Sequence, residues 1–350
     1  MEKKEKIING FDPNGVGVKG SLFGLPFDVD TSDTVIIPVP WDVTVSYGAG
    51  TKNGPKAVLD ASPQIDFALP EVKDAWKAGI TMLKEEQWIS ETSDRLRMRT
   101  AAYIEALEEG LPYESDVLLD EVEDESENLA QWLKGTALEL MSKGKTVGLL
   151  GGDHSTPLGL YKAVAESVGY FGILQIDAHA DLRKAYEGFE YSHASIMRNA
   201  LSVSELKKLV QVGIRDFCEE ERDVVLKSED RVVSFYDQTL KEEAYAGTSW
   251  AKQCEKIIDN LPEKVHVSFD IDGLDPKLCP NTGTPVPGGF EFDQVMFLIK
   301  KLALSGRKIV SFDLCEVCPG NDEWDGNVGA RVLYRLAVWS AISRGVLSCD

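Results

Sequence analysis

The chain is 350 residues long and sets 37 lysines and arginines against 58 aspartates and glutamates, a formal net charge of −21 at pH 7. Its 43% hydrophobic and 27% charged residues are globular proportions and exclude a disordered, collagenous or disulfide-stapled chain. So acidic a balance argues against nucleic acid and anionic membrane as partners, because phosphate binding needs clustered lysine and arginine, and it agrees with a small cationic ligand.

No run of 18 apolar residues occurs, so no membrane span is expected. Met1–Lys6 is not followed by the apolar core of a signal peptide. The six cysteines, Cys218, Cys254, Cys279, Cys315, Cys318 and Cys349, fit reduced thiols in a cytoplasmic protein.

Residues 1–33 are rich in glycine and proline and carry no period, which predicts a surface arm. Thr34–Val39 reads as a short strand and Trp41–Pro55 as a polar loop, with Pro55 opening a helix over Lys56–Ala61. Residues 71–127 form an atypical insert in the pattern. It contains a helical stretch at Asp94–Glu109 and an acidic patch, Ser115–Glu127, that reads as a solvated face or loop. A helix then runs through Leu129, Trp132, Leu133, Leu140 and Met141, with Asp124 and Glu127 placed to cap its start and Gly144 to close it.

Strand-length apolar runs follow at Thr146–Leu150, Phe171–Ile176, Leu209–Ile214, Val232–Phe235, Val265–Phe269 and Ile309–Leu314. Helical stretches at Thr156–Ser167, Trp250–Leu261, Phe292–Ala303 and Val328–Arg344 alternate with them. Short, almost wholly apolar strands between helices predict an α/β fold, a mostly parallel sheet covered on both faces, in one domain spanning the chain.

Ligands of such sheets bind beyond the carboxyl ends of the strands. Three of those ends carry metal-ligand residue types: Gly151-Gly152-Asp153-His154-Ser155, Asp177-Ala178-His179-Ala180-Asp181 and Asp270-Ile271-Asp272-Gly273. Extended backbone would turn Asp177, His179 and Asp181 to one side, and likewise Asp270 and Asp272. Asp275-Pro276 reads as a turn, and the strand before Asp270 together with the missing distal glutamate excludes an EF-hand.

Two imidazoles and four carboxylates without a thiolate suit two divalent cations, Mn2+ first and Ni2+ or Co2+ next. Such a pair can ionise a shared water, which implies hydrolysis at carbon or phosphorus. Two-metal phosphatases and nucleases compete with this reading, although they usually carry a cationic phosphate clamp. His266, inside a strand, reads as a packed core residue. Cys315 and Cys318 read as plain buried thiols, with a redox switch as the alternative.

The strings GGDHS (Gly151–Ser155), DAHAD (Asp177–Asp181), SFDIDGLDP (Ser268–Pro276), GTPVPGG (Gly283–Gly289) and FDLCEVCP (Phe312–Pro319) resemble the ureohydrolase family of arginases, agmatinases and formimidoylglutamases. The resemblance runs from about Asp33 to Gly345, apart from residues 71–127. It implies an arginase-like three-layer αβα fold and two metals, one held by His154 and Asp181 and the other by His179 and Asp272. Asp177 and Asp270 would bridge them.

It further implies attack of an ionised water on a guanidinium carbon, releasing urea and an amine. Asp181 would hydrogen-bond the nucleophile and Glu316 would bind the guanidinium, supported by Thr284. His193 would pass protons to the leaving amine, as an imidazole near its ordinary pKa of ~6.5 can. Trimers or hexamers are common in the family.

Arg183 and the loop through Tyr191-Ser192-His193-Ala194-Ser195 look like the agmatinase branch, and Cys218 stands where arginases use a carboxylate for the α-amino group. Agmatine, cleaved to putrescine and urea, is therefore the expected substrate, with Glu187 and Glu190 forming an acidic mouth. Gly48 replaces an arginine usual in agmatinases. Guanidine, guanidino acids and formimidoylglutamate remain alternatives, the last anchored by Arg183. So does a catalytically silent member acting as a binding subunit.

Overall fold

The computed structural model describes residues 2–113 and 115–349. In chain order the helices and strands are α1 (Glu2–Gly10), β1 (Thr34–Val39), α2 (Gly54–Ala61), β2 (Ile80–Met82), α3 (Gln87–Glu108), α4 (Asp116–Ser142) and β3 (Thr146–Gly151). Then come α5 (Leu158–Val168), β4 (Phe171–Ile176), α6 (Ile196–Ala200), β5 (Leu206–Ile214), α7 (Glu219–Leu226), β6 (Val232–Tyr236) and α8 (Asp237–Tyr245). The last are α9 (Trp250–Asp259), β7 (Lys264–Asp270), α10 (Phe292–Leu304), β8 (Lys308–Cys315) and α11 (Trp324–Ser343).

The strands form one eight-stranded sheet in the order β2-β1-β3-β8-β7-β4-β5-β6. Every pairing is parallel. Alternate residues of β1 feed two different cores, as period-two geometry requires. Ile36 joins the core under α2 and α9–α11, while Val35, Ile37 and Val39 join the core under α3–α6. Covering both faces explains why the strands read as continuous apolar runs. The three-layer αβα expectation therefore holds.

Residues 1–33 depart from the surface-arm reading. They contain α1, and Leu22, Phe23, Leu25 and Phe27 are buried, with the Phe23 ring edge-on to Tyr334 at 5.3 Å. Glycines and prolines between these apolar residues hide any period, but tertiary packing on α11 needs none. Val16 and Val18 do stay exposed.

The acidic patch also differs. It is the first half of α4, which starts at Asp116, so Asp124 and Glu127 lie inside the helix and cap nothing. Leu118, Val122, Ser126, Leu129, Leu133, Ala137 and Leu140 form its buried face, while Asp116, Asp120, Glu123 and Asp124 are exposed. The solvated-face reading holds and the loop reading does not; one apolar residue per turn is too thin a stripe to show through so many carboxylates. Gly144, at φ +77°, follows the end of α4.

Candidate functional site

The sheet order makes β3, β8, β7 and β4 consecutive neighbours, so their carboxyl ends bring the three motifs and Glu316 together. Gly152 shows how tightly this end is packed. Its amide donates to Val39 O at 2.8 Å, and a Cβ there would lie 1.9 Å from Trp41 O. Gly152→Ala is therefore expected to cost about 2–3 kcal/mol of stability, read as a lower urea midpoint with an unchanged slope.

His154 follows in the turn before α5, which begins at Leu158 rather than at Thr156. The loop after β4 curls rather than extending. Asp181 sits at φ +54°, in the left-handed region, so its carbonyl accepts the amides of Met197 and Arg198 at 3.0 and 3.1 Å while its carboxylate turns back to His154. After β7 a single 3-10 turn, Ile271–Gly273, replaces the expected extended segment, and Asp270 Oδ1 accepts the Asp272 amide at 2.9 Å.

All six expected ligands are thereby gathered. His154 Nδ1 lies 3.0 Å from Asp177 Oδ2, 3.0 Å from Asp181 Oδ2 and 3.3 Å from Asp270 Oδ2. His179 Nδ1 lies 3.0 Å from Asp272 Oδ2 and 3.6 Å from Asp177 Oδ1. Asp177 thus faces both imidazoles. Among the described residues, His154 Nδ1 is a buried nitrogen with no hydrogen-bond partner. A bare nitrogen ringed by carboxylate oxygens is a donor set lacking its acceptor, and two overlapping groups, His154/Asp177/Asp181 and Asp177/His179/Asp272, have ligand atoms close enough to hold a cation each. The residues fit a pair of divalent cations.

The charges are strained without such ions. Burial, and then repulsion from Asp177, pushes the Asp181 carboxyl up to about 7. Burial and the Asp272 charge push Asp270 well up. Burial opposes ionisation of Asp177, but the facing His154 and His179 imidazoles hold it well below the usual carboxylate range.

A second layer, which the sequence reading missed, positions the ligands. Gln175 Nε2 donates to Asp177 Oδ2 at 2.8 Å, Gln211 Nε2 donates to Gln175 Oε1 at 2.7 Å, and Ser234 Oγ donates to Gln211 Oε1 at 2.7 Å, a relay across β4, β5 and β6. The Arg215 guanidinium donates to Asp272 O at 2.7 Å and Val286 O at 3.0 Å, tying three loops together. A glutamine pointing out of a buried strand was the one available signal. His266 is buried in β7, as expected, and is fully hydrogen-bonded.

Glu316 is buried just past β8, at φ +63°. Its Oε1 accepts the His154 amide at 2.8 Å, which ties it to the ligand turn. Burial, then the Asp153 charge, pushes its carboxyl well up. The residue that bonds it from the 281–289 loop is Thr282, whose Oγ1 donates to Glu316 O at 2.9 Å. Thr284 instead lines the cavity.

The cavity beside the cluster measures about 380 Å³ and is lined by His179, Asp181, Arg183, His193, Glu221 and Thr284 among others. Burial, then the neighbouring His179 and His154, push His193 below an ordinary imidazole, to about 4. The expected acidic mouth is made by other residues. Asp216 and Glu221 line the cavity, whereas Glu187 and Glu190 do not. Glu187 sits at φ +51° in the tight turn between Tyr186 and Phe189, beside Glu108 and Arg97 of α3. Arg183 Nε is 3.9 Å from the buried Glu221 Oε2, and its guanidinium stacks over Tyr186 at 5.1 Å.

The α3–α4 pair, where the sequence was hardest to read, braces the His193 loop. Tyr103 packs edge-on against Phe189 at 5.5 Å, and Tyr191 Oη donates to Glu127 Oε2 at 3.1 Å. Gly48 explains its own departure: a Cβ there would lie 2.7 Å from Gly283 O, so a larger side chain has no room. Cys315 contacts Thr156 Oγ1 at 3.5 Å while Cys318 faces Ala49 O at 3.9 Å, so both behave as plain packed thiols.

The likeness to known proteins agrees with this geometry. The chain is 30% identical over 315 residues to the N(1)-aminopropylagmatine ureohydrolase of Thermus thermophilus, covering 90% of this chain and 92% of that one. It is 28% identical over 297 residues to the agmatinase of Neisseria meningitidis, covering 84% and 82%. The crystal structure of agmatine ureohydrolase of Thermoplasma volcanium superimposes with a TM-score of 0.70 over 98% of this chain and 99% of that one, at 21% identity, and so shares the fold. The arginase family model matches residues 32–338, and this chain belongs to the arginase family of ureohydrolases.

Proposed function

We propose that the protein hydrolyses the guanidino group of agmatine or of an N-aminopropylated agmatine, releasing urea and a di- or polyamine. The observation that carries this reading is the pairing of a six-ligand, two-imidazole cluster with a cavity whose acidic wall is only partly neutralised. Asp181, Asp216 and Glu221 line it against one arginine, and Arg183 is itself held near Glu221. An ammonium tail suits that wall. A carboxylate tail, as in formimidoylglutamate or a guanidino acid, would find Arg183 already matched.

Two divalent cations, Mn2+ first, would be held by His154, Asp177, Asp181, His179, Asp270 and Asp272. When bound they supply the acidity that makes water nucleophilic near neutral pH. Glu316 accepts paired N–H groups of the planar guanidinium, a geometry a carboxylate matches. Asp181 accepts a hydrogen bond from the attacking water and sets its direction. His193, lining the cavity, takes up the proton that the attacking water gives up and passes it to the departing amine nitrogen.

A urea-release panel tests the substrate. Agmatine and N(1)-aminopropylagmatine are expected to exceed arginine, guanidinobutyrate and formimidoylglutamate by at least about tenfold in kcat/KM, about 1.4 kcal/mol of discrimination. A carboxylate-bearing compound turned over fastest would refute the agmatine assignment.

A further inference from the structure

Behind His154, on the side away from the carboxylate cluster, lies a wholly buried polar network that the reaction does not use. His154 Nε2 is 2.9 Å from Ser268 Oγ. Ser268 Oγ donates to Asp313 Oδ1 at 3.0 Å. Asp313 Oδ2 takes His266 Nε2 at 2.6 Å and Tyr161 Oη at 3.3 Å. His266 Nδ1 is satisfied by Ser311 Oγ at 2.6 Å. All of these side chains are 0–1% exposed.

The bookkeeping of protons decides what this network does. Tyr161 Oη also lies 3.0 Å from Ser268 Oγ, and because a carboxylate only accepts, with the Ser268 proton on Asp313 Oδ1 the tyrosine hydroxyl and the imidazole are the donors to Ser268. The 2.9 Å contact between Ser268 Oγ and His154 Nε2 is then a hydrogen bond only if Nε2 carries the proton. The other ring nitrogen, Nδ1, keeps its lone pair, and it is the nitrogen that stands among Asp177, Asp181 and Asp270. Asp313 is pinned in turn by two ring-bearing donors, His266 on the neighbouring strand β7 and Tyr161 on α5, so it cannot swing away. Cys315 also approaches His154 and Asp313 to ligand distance, but His154 Nε2 and both Asp313 oxygens are already hydrogen-bonded, which makes this a hydrogen-bond network rather than a third cation site.

We propose that Asp313 is a positioning residue for the metal centre, acting through Ser268 to fix the tautomer and ring orientation of His154 so that Nδ1 is the ligand atom. This inference rests on the two-cation reading given above. Outer partners of this kind are worth about 10–100-fold in metal affinity. Only the cation next to His154 is affected, because nothing in this network touches His179 or Asp272.

The test is Mn2+ titration of the full-length wild-type protein, Ser268→Ala and Asp313→Asn, followed by calorimetry and by the electron paramagnetic resonance of the paired ions. Ser268→Ala leaves Asp313 bonded to His266 and Tyr161, so it keeps the test decisive if the buried Asp313→Asn change prevents folding. The expected result is two ions in the wild type. In Ser268→Ala one ion is retained at wild-type affinity and the other is weakened about 10–100-fold. The paired-ion signal gives way to an isolated-ion signal at limiting metal, and the thermal midpoint of the metal-free protein falls by only the few degrees that loss of one buried hydrogen-bonding hydroxyl entails. Wild-type affinity at both sites in the folded variants overturns the inference. Equal weakening at both sites overturns it too, since that is general loosening. A wild-type protein that binds no Mn2+, Ni2+ or Co2+ refutes the two-cation reading itself, and is thereby distinguished from failure of the Asp313 role alone.

Discussion

His179→Ala and Asp270→Asn are each expected to lower urea release by at least about 10³-fold and to drop bound metal from two ions to one or none. His179 Nδ1 faces Asp272 and Asp177 at 3.0 and 3.6 Å, so its loss takes away the imidazole of one group entirely. Asp270→Asn keeps the shape, and the acceptor for the Asp272 amide, but removes one negative charge from a buried set whose repulsion only a cation offsets. Both substitutions act on the metal, so activity and metal content fall together. Metal analysis of each purified variant beside its turnover number checks this. Full activity with the metal gone would contradict the role of the cluster.

Glu316→Gln is expected to separate the two quantities. Glu316 is not among the six ligands, and its contact with the ligand turn is made by Oε1, which accepts the His154 amide at 2.8 Å. An amide oxygen can take over that bond, so both ions stay. The substitution removes the charge that meets the guanidinium, and with it one side of a charge-assisted pair of hydrogen bonds. Losing such a contact in a buried site costs about 2.7–4 kcal/mol of transition-state stabilisation, or about 10²–10³-fold in rate. Inhibition by a non-reactive guanidino compound weakens in parallel, because Glu316 holds the ground state as well. An unchanged inhibition constant would place the guanidinium elsewhere in the cavity.

The ligand residues were legible in the sequence because the strands of a doubly covered sheet are short apolar runs, and chemistry collects where they stop. How the ligands converge was not. Extended backbone would have brought Asp177, His179 and Asp181 to one face, yet the chain reaches that result through a left-handed Asp181, and Asp270 and Asp272 reach theirs through a 3-10 turn. Two different local geometries yield the same cluster, so the residue types were informative and the periodicity argument for them was not.

The adjacency of the four strand ends was equally invisible, since β8 lies between β3 and β7 only after two long crossovers. The same holds for the outer layer. Gln175, Gln211 and Ser234 sit on three separate strands, and Ser268, Asp313 and His266 are paired by the sheet rather than by spacing. Depression of the His193 pKa needs the packed loop, because burial causes it. Helix α4 was obscured by its own surface, where exposed carboxylates alternate with a narrow buried stripe.

Anomalous diffraction from crystals soaked in Mn2+ tests the central claim most directly. Two peaks are expected at the carboxyl end of the sheet, one flanked by His154 and Asp181, the other by His179 and Asp272, with Asp177 reaching both. A cluster that stays empty at saturating metal, or a single peak coordinated by other residues, would contradict it.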